Sequence, residues 1–164
     1  VQHLEMLCED FKPEGEIFDN FLMNTVIPYV ENNFPVCTDR QNVAVCGSSS
    51  GGLMSFFSAF EHPEKFGYAG VFSPAFLCYT REDWAKYLST KIVENMPYLY
   101  IYTGNGDEFE EMIFESTEML YELLEESFYP YDRMNEVILF ENAHNEKSWR
   151  EIFPDFLHTF LSRL

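Results

Sequence analysis

The chain has 164 residues, 46% hydrophobic and 18% aromatic, and a formal net charge of −18. That length and apolar content suit one folded domain over residues 1–164 and exclude a disordered polypeptide. The charge argues against nucleic acid or an anionic membrane surface as a partner, and no apolar run approaches the ~20 residues needed to span a bilayer.

Residues 16–32 carry Ile17, Phe18, Phe21, Leu22, Thr25, Val26 and Tyr29 at helical spacing, with Pro28 near a kink or a late turn. Residues 43–47 read as a short buried strand, 51–61 as a buried helix ended by His62-Pro63, and 68–73 as a second strand stopped by Pro74. A helix over 81–94 and a strand over 98–103 follow. Gly104-Asn105-Gly106 forces a turn before a helix over 109–127, with Met112, Ile113, Met119, Leu120, Leu123 and Leu124 inward. The glutamates of that helix, Glu110 among them, read as a solvated face. A fourth strand over 136–140 and a helix over 147–163 complete the chain. Alternating strands and helices predict an α/β fold: a parallel sheet with helices on its faces.

Four cysteines, Cys8, Cys37, Cys46 and Cys78, show neither close pairing nor C-x-x-C spacing. They are expected to be reduced thiols of a cytoplasmic protein, with Cys46 packed in the first strand as a small hydrophobe. The first residues, Val1 to Glu5, lack the basic-then-apolar order of a signal peptide. No Cys/His cluster has metal-ligand spacing, so no metal or other cofactor is expected.

The string Gly47-Ser48-Ser49-Ser50-Gly51 lies between the first strand and the helix behind it. It matches G-x-S-x-G, a turn that raises a serine above a sheet, with the glycines expected to avoid collisions. The serine at its apex is Ser49. By itself the string divides evenly between a nucleophile and a structural turn. A P-loop is disfavoured, because Leu53 and Met54 stand where its lysine would. A serine nucleophile needs a base, and the base needs an orienting acid. In an α/β sheet such groups follow strand ends. Asp107 follows the third strand and His144 the fourth, in the order Ser…Asp…His. Alternatively, Asp107 or Glu108 caps the helix and His144 is a polar loop residue.

The elbow, His62-Pro63-Glu64-Lys65-Phe66-Gly67, Val71-Phe72-Ser73-Pro74-Ala75-Phe76 and the loop Ala143-His144-Asn145-Glu146-Lys147-Ser148-Trp149 together resemble the putative-esterase family of α/β-hydrolases, which includes feruloyl and enterochelin esterases. The resemblance covers nearly the whole chain. It implies an α/β-hydrolase-like sheet, Ser49 as nucleophile, His144 as base and Asp107 as acid, with Glu108 as the fallback. The Ser50 N–H is the expected oxyanion-hole donor. Complete members have further strands before the elbow. Here about 42 residues precede the strand, so the chain resembles the C-terminal portion of such an esterase. A His-Gly-Gly-type loop that would give a second oxyanion donor does not appear. The first strand would then be a sheet edge, which invites a second copy or an N-terminal half as partner. The expected activity is hydrolysis of a small-molecule carboxylic ester through an acyl-enzyme. The alternatives are an acyltransferase with the same triad or a non-catalytic, oligomeric hydrolase-like module.

Overall fold

The structure is a computed structural model that describes residues 15–91 and 95–163. His3, Cys8 and residues 92–94 of the expected 81–94 helix lie outside the described residues. Helix α1 covers residues 15–33 and contains a π turn over Leu22–Val26, where the Ile27 N–H donates to the Leu22 carbonyl. Pro28 explains the turn. It lacks an N–H, and its ring would collide with the carbonyl four residues earlier in a regular helix; the wider turn relieves both.

The remaining elements run β1 (Ala44–Ser48), α2 (Ser50–Glu61), β2 (Tyr68–Phe72), α3 (Arg81–Lys91), β3 (Tyr98–Gly104), α4 (Glu108–Glu126), β4 (Met134–Leu139) and α5 (Glu146–Leu161). The strands form one all-parallel sheet in the order β1-β2-β3-β4. The expected parallel α/β architecture is therefore present. β4 starts two residues before its expected position, because a 3-10 turn over Tyr131–Arg133 behind Pro130 delivers the chain to it earlier.

Alternation along the strands builds two cores. Leu99 and Ile101 of β3, with Ala69 and Val71 of β2, join Leu53, Phe56, Trp84, Leu88, Leu120 and Leu124 of α2, α3 and α4. The opposite side chains, Tyr98, Tyr100, Tyr102 and Phe72, meet Ile152 and Phe156 of α5. The three tyrosines of β3 form a row along this face. Each ring is buried against α5 while its polar end is used: the Tyr100 hydroxyl donates to Asp155 Oδ2 at 2.5 Å, and the Tyr102 hydroxyl accepts from Asn142 Nδ2 at 3.0 Å. Phe76 and Trp84 are core residues, and the Trp84 indole N–H donates to the Phe76 carbonyl.

β1 is an edge strand of the described sheet. Cys46 is consequently exposed, not packed inside as its apolar context suggested. Cys37 and Cys46 carry free thiols. No described helix is long and apolar enough to cross a membrane.

The outer strand β4 brings a carboxyl group against α4. Glu136 lies beside Glu118, and its Oε1 is buried without a hydrogen-bond partner. Burial first, then the Glu118 and Glu125 carboxylates, push the Glu136 carboxyl from its usual 4.5 up to about 7. The folded chain therefore holds this proton at pH values where the unfolded chain has released it. Stability falls as pH rises from about 4.5 through about 7. Glu136→Gln is expected to flatten that fall and to exceed the wild type above pH 7 by on the order of 1 kcal/mol, measured by urea unfolding across the range.

Candidate active site

The elbow begins with β1, which delivers the chain to Ser49 at φ 57°, ψ −121°. This backbone is strained for a residue with a side chain, and its surroundings hold it in place. The Ser49 N–H donates to the Phe72 carbonyl at 2.9 Å, and the Ser49 carbonyl accepts from Leu53 at 3.1 Å and from Ala75 at 3.1 Å. The adjoining turn needs Gly47, where a Cβ would stand 2.6 Å from the Gly51 carbonyl oxygen. Gly51, expected to be equally constrained, faces open space; the second crowded position is Gly52, against the Phe72 carbonyl. Ser50 is the first residue of α2, so its N–H belongs to the first-turn donors without an intrahelical acceptor.

The β3–α4 and β4–α5 loops approach the elbow tied to one another. The Glu141 N–H donates to Asn105 Oδ1 at 3.1 Å and the Gly106 N–H to the Asn142 carbonyl at 2.8 Å. Asp107 Oδ2 accepts from the main-chain N–H of His144 at 2.9 Å, while its Oδ1 accepts from the Glu110 N–H at 2.8 Å as the N-cap of α4. These bonds, the Glu110 N–H foremost, hold the Asp107 carboxyl below the usual carboxylate range.

The imidazole of His144 is thereby brought between a hydroxyl and a carboxylate. His144 Nε2 lies 3.0 Å from Ser49 Oγ, and Nδ1 lies 2.6 Å from Glu110 Oε2. A carboxylate only accepts, so Nδ1 carries the proton and Nε2 is free to accept the serine hydroxyl. Phe109 and Trp149 stand edge-on to the imidazole, with ring centroids 4.7 and 5.1 Å away. Glu110 has no solvent exposure. Its Oε1 accepts from Ser73 Oγ at 2.6 Å and from the Gly104 N–H at 2.8 Å. No group of three or more potential metal ligands occurs among the described residues.

The sequence matches the profile of the putative esterase family over residues 8–160. The chain belongs to that family. A curated relative, the endo-1,4-beta-xylanase/feruloyl esterase of Xylanibacter ruminicola, is 32% identical over 107 residues, 65% of this chain and 13% of that protein. The enterochelin esterase of Shigella flexneri superposes with a TM-score of 0.73 at 19% identity, covering 87% of this chain and 36% of that one. A ferulic acid esterase of Anaeromyces mucronatus, solved with ferulic acid, superposes with a TM-score of 0.67 at 19% identity over 89% of this chain and 54% of that one. The chain thus spans only part of each relative's length. The structural likenesses concern the fold, which is that of the esterase α/β-hydrolases.

Of the residues singled out for this esterase-family site, Ser49 and His144 meet, and Ser50 opens the adjacent helix. The acid differs. Asp107 binds the backbone of His144 instead of its ring, Glu108 is exposed, and the carboxylate on Nδ1 belongs to Glu110. Helix geometry is the reason: Asp107 is spent on capping, and the third helical residue points back toward the loop. The spacing Asp107-x-x-Glu110 was the available signal. It has the form of a capping box, in which the glutamate turns toward the helix start and not out to solvent.

The two elbow glycines should respond oppositely to alanine. Gly47→Ala is expected to cost about 1–3 kcal/mol by overpacking. Gly51→Ala, in a helical and open position, should stabilise by about 0.5–1 kcal/mol. Denaturant unfolding of the two variants checks the pair.

Proposed function

We propose that this chain hydrolyses carboxylic esters, with Ser49 as nucleophile, His144 as general base and acid, and Glu110 as the carboxylate that orients the imidazole. The observation carrying this reading is the unbroken run of hydrogen bonds from Ser49 Oγ through both ring nitrogens of His144 to the buried Glu110. Membership of the putative esterase family supports it.

In this mechanism Nε2 of His144 takes the hydroxyl proton as Ser49 Oγ attacks the acyl carbon. The imidazolium formed is stabilised by Glu110. The oxygen that becomes negative faces the start of α2, where the Ser50 N–H supplies one donor. Collapse of the tetrahedral species breaks the ester C–O bond, and Nε2–H protonates the departing alcohol. Water, deprotonated by Nε2, then attacks the acyl-serine, and Ser49 recovers its proton as the acid leaves. No cofactor enters the scheme. Esters of aromatic acids are the substrate class proposed. A feruloyl esterase is among the relatives, and a groove lined by Phe72, Trp149 and Phe153 opens beside Ser48.

A fluorophosphonate probe and the hydrolysis of p-nitrophenyl acetate and methyl ferulate test the assignment. Ser49→Ala should abolish labelling and turnover; equal rates in variant and wild type would reject the nucleophile. Glu110→Gln should lower kcat by about 100- to 10,000-fold, by analogy with replacing the orienting acid of other triads. Asp107→Asn should cost less than about tenfold, because asparagine still caps a helix. The reverse ranking would return the acid's role to Asp107.

A further inference from the structure

Ser73 is fully buried immediately after β2, with its backbone in the left-handed region at φ 41°. The conformation is held by its N–H, which donates to the Tyr102 carbonyl at 2.7 Å. A non-glycine residue in this region implies a constraint from the surroundings. Here it aims Oγ at the acid of the proposed site. Ser73 Oγ donates to Glu110 Oε1 at 2.6 Å and accepts from the Trp149 indole N–H at 2.9 Å. One hydroxyl thus joins β2, α4 and α5, donating to one and accepting from the other.

We propose that Ser73, backed by Trp149, is a positioning residue for the reaction: its hydroxyl locks the rotation of the Glu110 carboxylate so that Oε2 meets Nδ1 of His144. The inference rests on the Ser49–His144–Glu110 reading and adds a residue outside it. The terminal torsion of a glutamate is soft and nearly two-fold, so contact with Nδ1 alone does not fix the carboxylate plane. The Gly104 N–H holds Oε1 from the main chain, and the Ser73 hydroxyl adds a second donor to the same oxygen. Trp149 orients that hydroxyl by occupying its lone pair, so its proton points at Glu110. The same indole stands at 90° to the imidazole, so its tether to Ser73 also fixes one wall around His144.

Ser73→Ala, Ser73→Gly and Trp149→Phe test the assignment. Ser73→Gly is at ease at the observed φ and serves if the alanine variant fails to fold. Two readouts are needed. One is the rate constant of fluorophosphonate labelling at Ser49, taken separately from the fraction of protein finally labelled. The other is the far-downfield proton resonance of the His144 Nδ1–H, assigned by its loss in His144→Ala. His62, bonded to Asp19 at 2.7 Å, provides an internal control that should not move.

The expected result is a rate constant lower by about 10- to 100-fold at an unchanged labelled fraction, the size of losing one hydrogen bond to a charged group. The Nδ1 resonance should shift, and Trp149→Phe should add little in the Ser73→Ala background. An unmoved resonance with an unchanged rate constant would overturn the proposal. So would a fall confined to the labelled fraction, which is the mark of a purely structural role. Should the wild type resist labelling while the resonance still moves in Ser73→Ala, the positioning stands and the esterase reading falls.

Discussion

The site is organised around a carboxylate that water does not reach. Glu110 is enclosed by the ends of β2 and β3, the start of α4 and the loop before α5, and no lysine or arginine among the described residues pairs with it. A buried carboxylate is tolerable only when its lone pairs are met by donors. Ser73, Gly104 and His144 are those donors, and each comes from the carboxyl end of a different strand or from the loop that follows one. The requirement that they converge fixes where the loops stand. It also ties the histidine to the sheet, which gives the imidazole a defined orientation before any ligand arrives.

The sheet makes this convergence possible by being parallel. All strand ends that carry chemistry lie on one rim, and the loops leaving them need only short excursions to meet. Ser49 is forced up at that rim by a backbone that few residues adopt. Its stability comes from neighbours, since the Phe72 carbonyl and the Ala75 N–H both bind it. Strain at Ser49 and at Ser73 therefore occurs at two adjacent strand ends and is held by the same kind of cross-strand hydrogen bond.

How much of this was legible depended on the range of the interaction involved. The strand–turn–helix around Ser49 is local, so the glycines and apolar runs announce it. His144 was legible because, among the described histidines, it alone follows a strand. Glu110 was not, because its neighbours on α4 are solvated glutamates and a single-residue pattern cannot distinguish one inward carboxylate among them. What separates it is the capping geometry of Asp107 and the presence of Ser73, 37 residues away. The exposure of Cys46 was misjudged although the edge position of β1 was expected: on an edge strand, apolar neighbours in sequence do not ensure burial. The π turn in α1 was half legible, since Pro28 demands a distortion but does not say which.

The electrostatic state of the resting site completes the argument. Glu110 is buried and held by hydrogen bonds from Ser73, Gly104 and His144. In the proposed reaction, proton transfer from Ser49 would turn the ring into an imidazolium 2.6 Å from that carboxylate, and the pair would gain attraction that did not exist beforehand. In that scheme the gain falls in the transition state and the intermediate, where it would lower the barrier, and is absent from the ground state. An exposed acid such as Asp107, screened by water, would deliver less of it. Burial of the orienting carboxylate, costly for the fold, is what makes its charge effective at the imidazole.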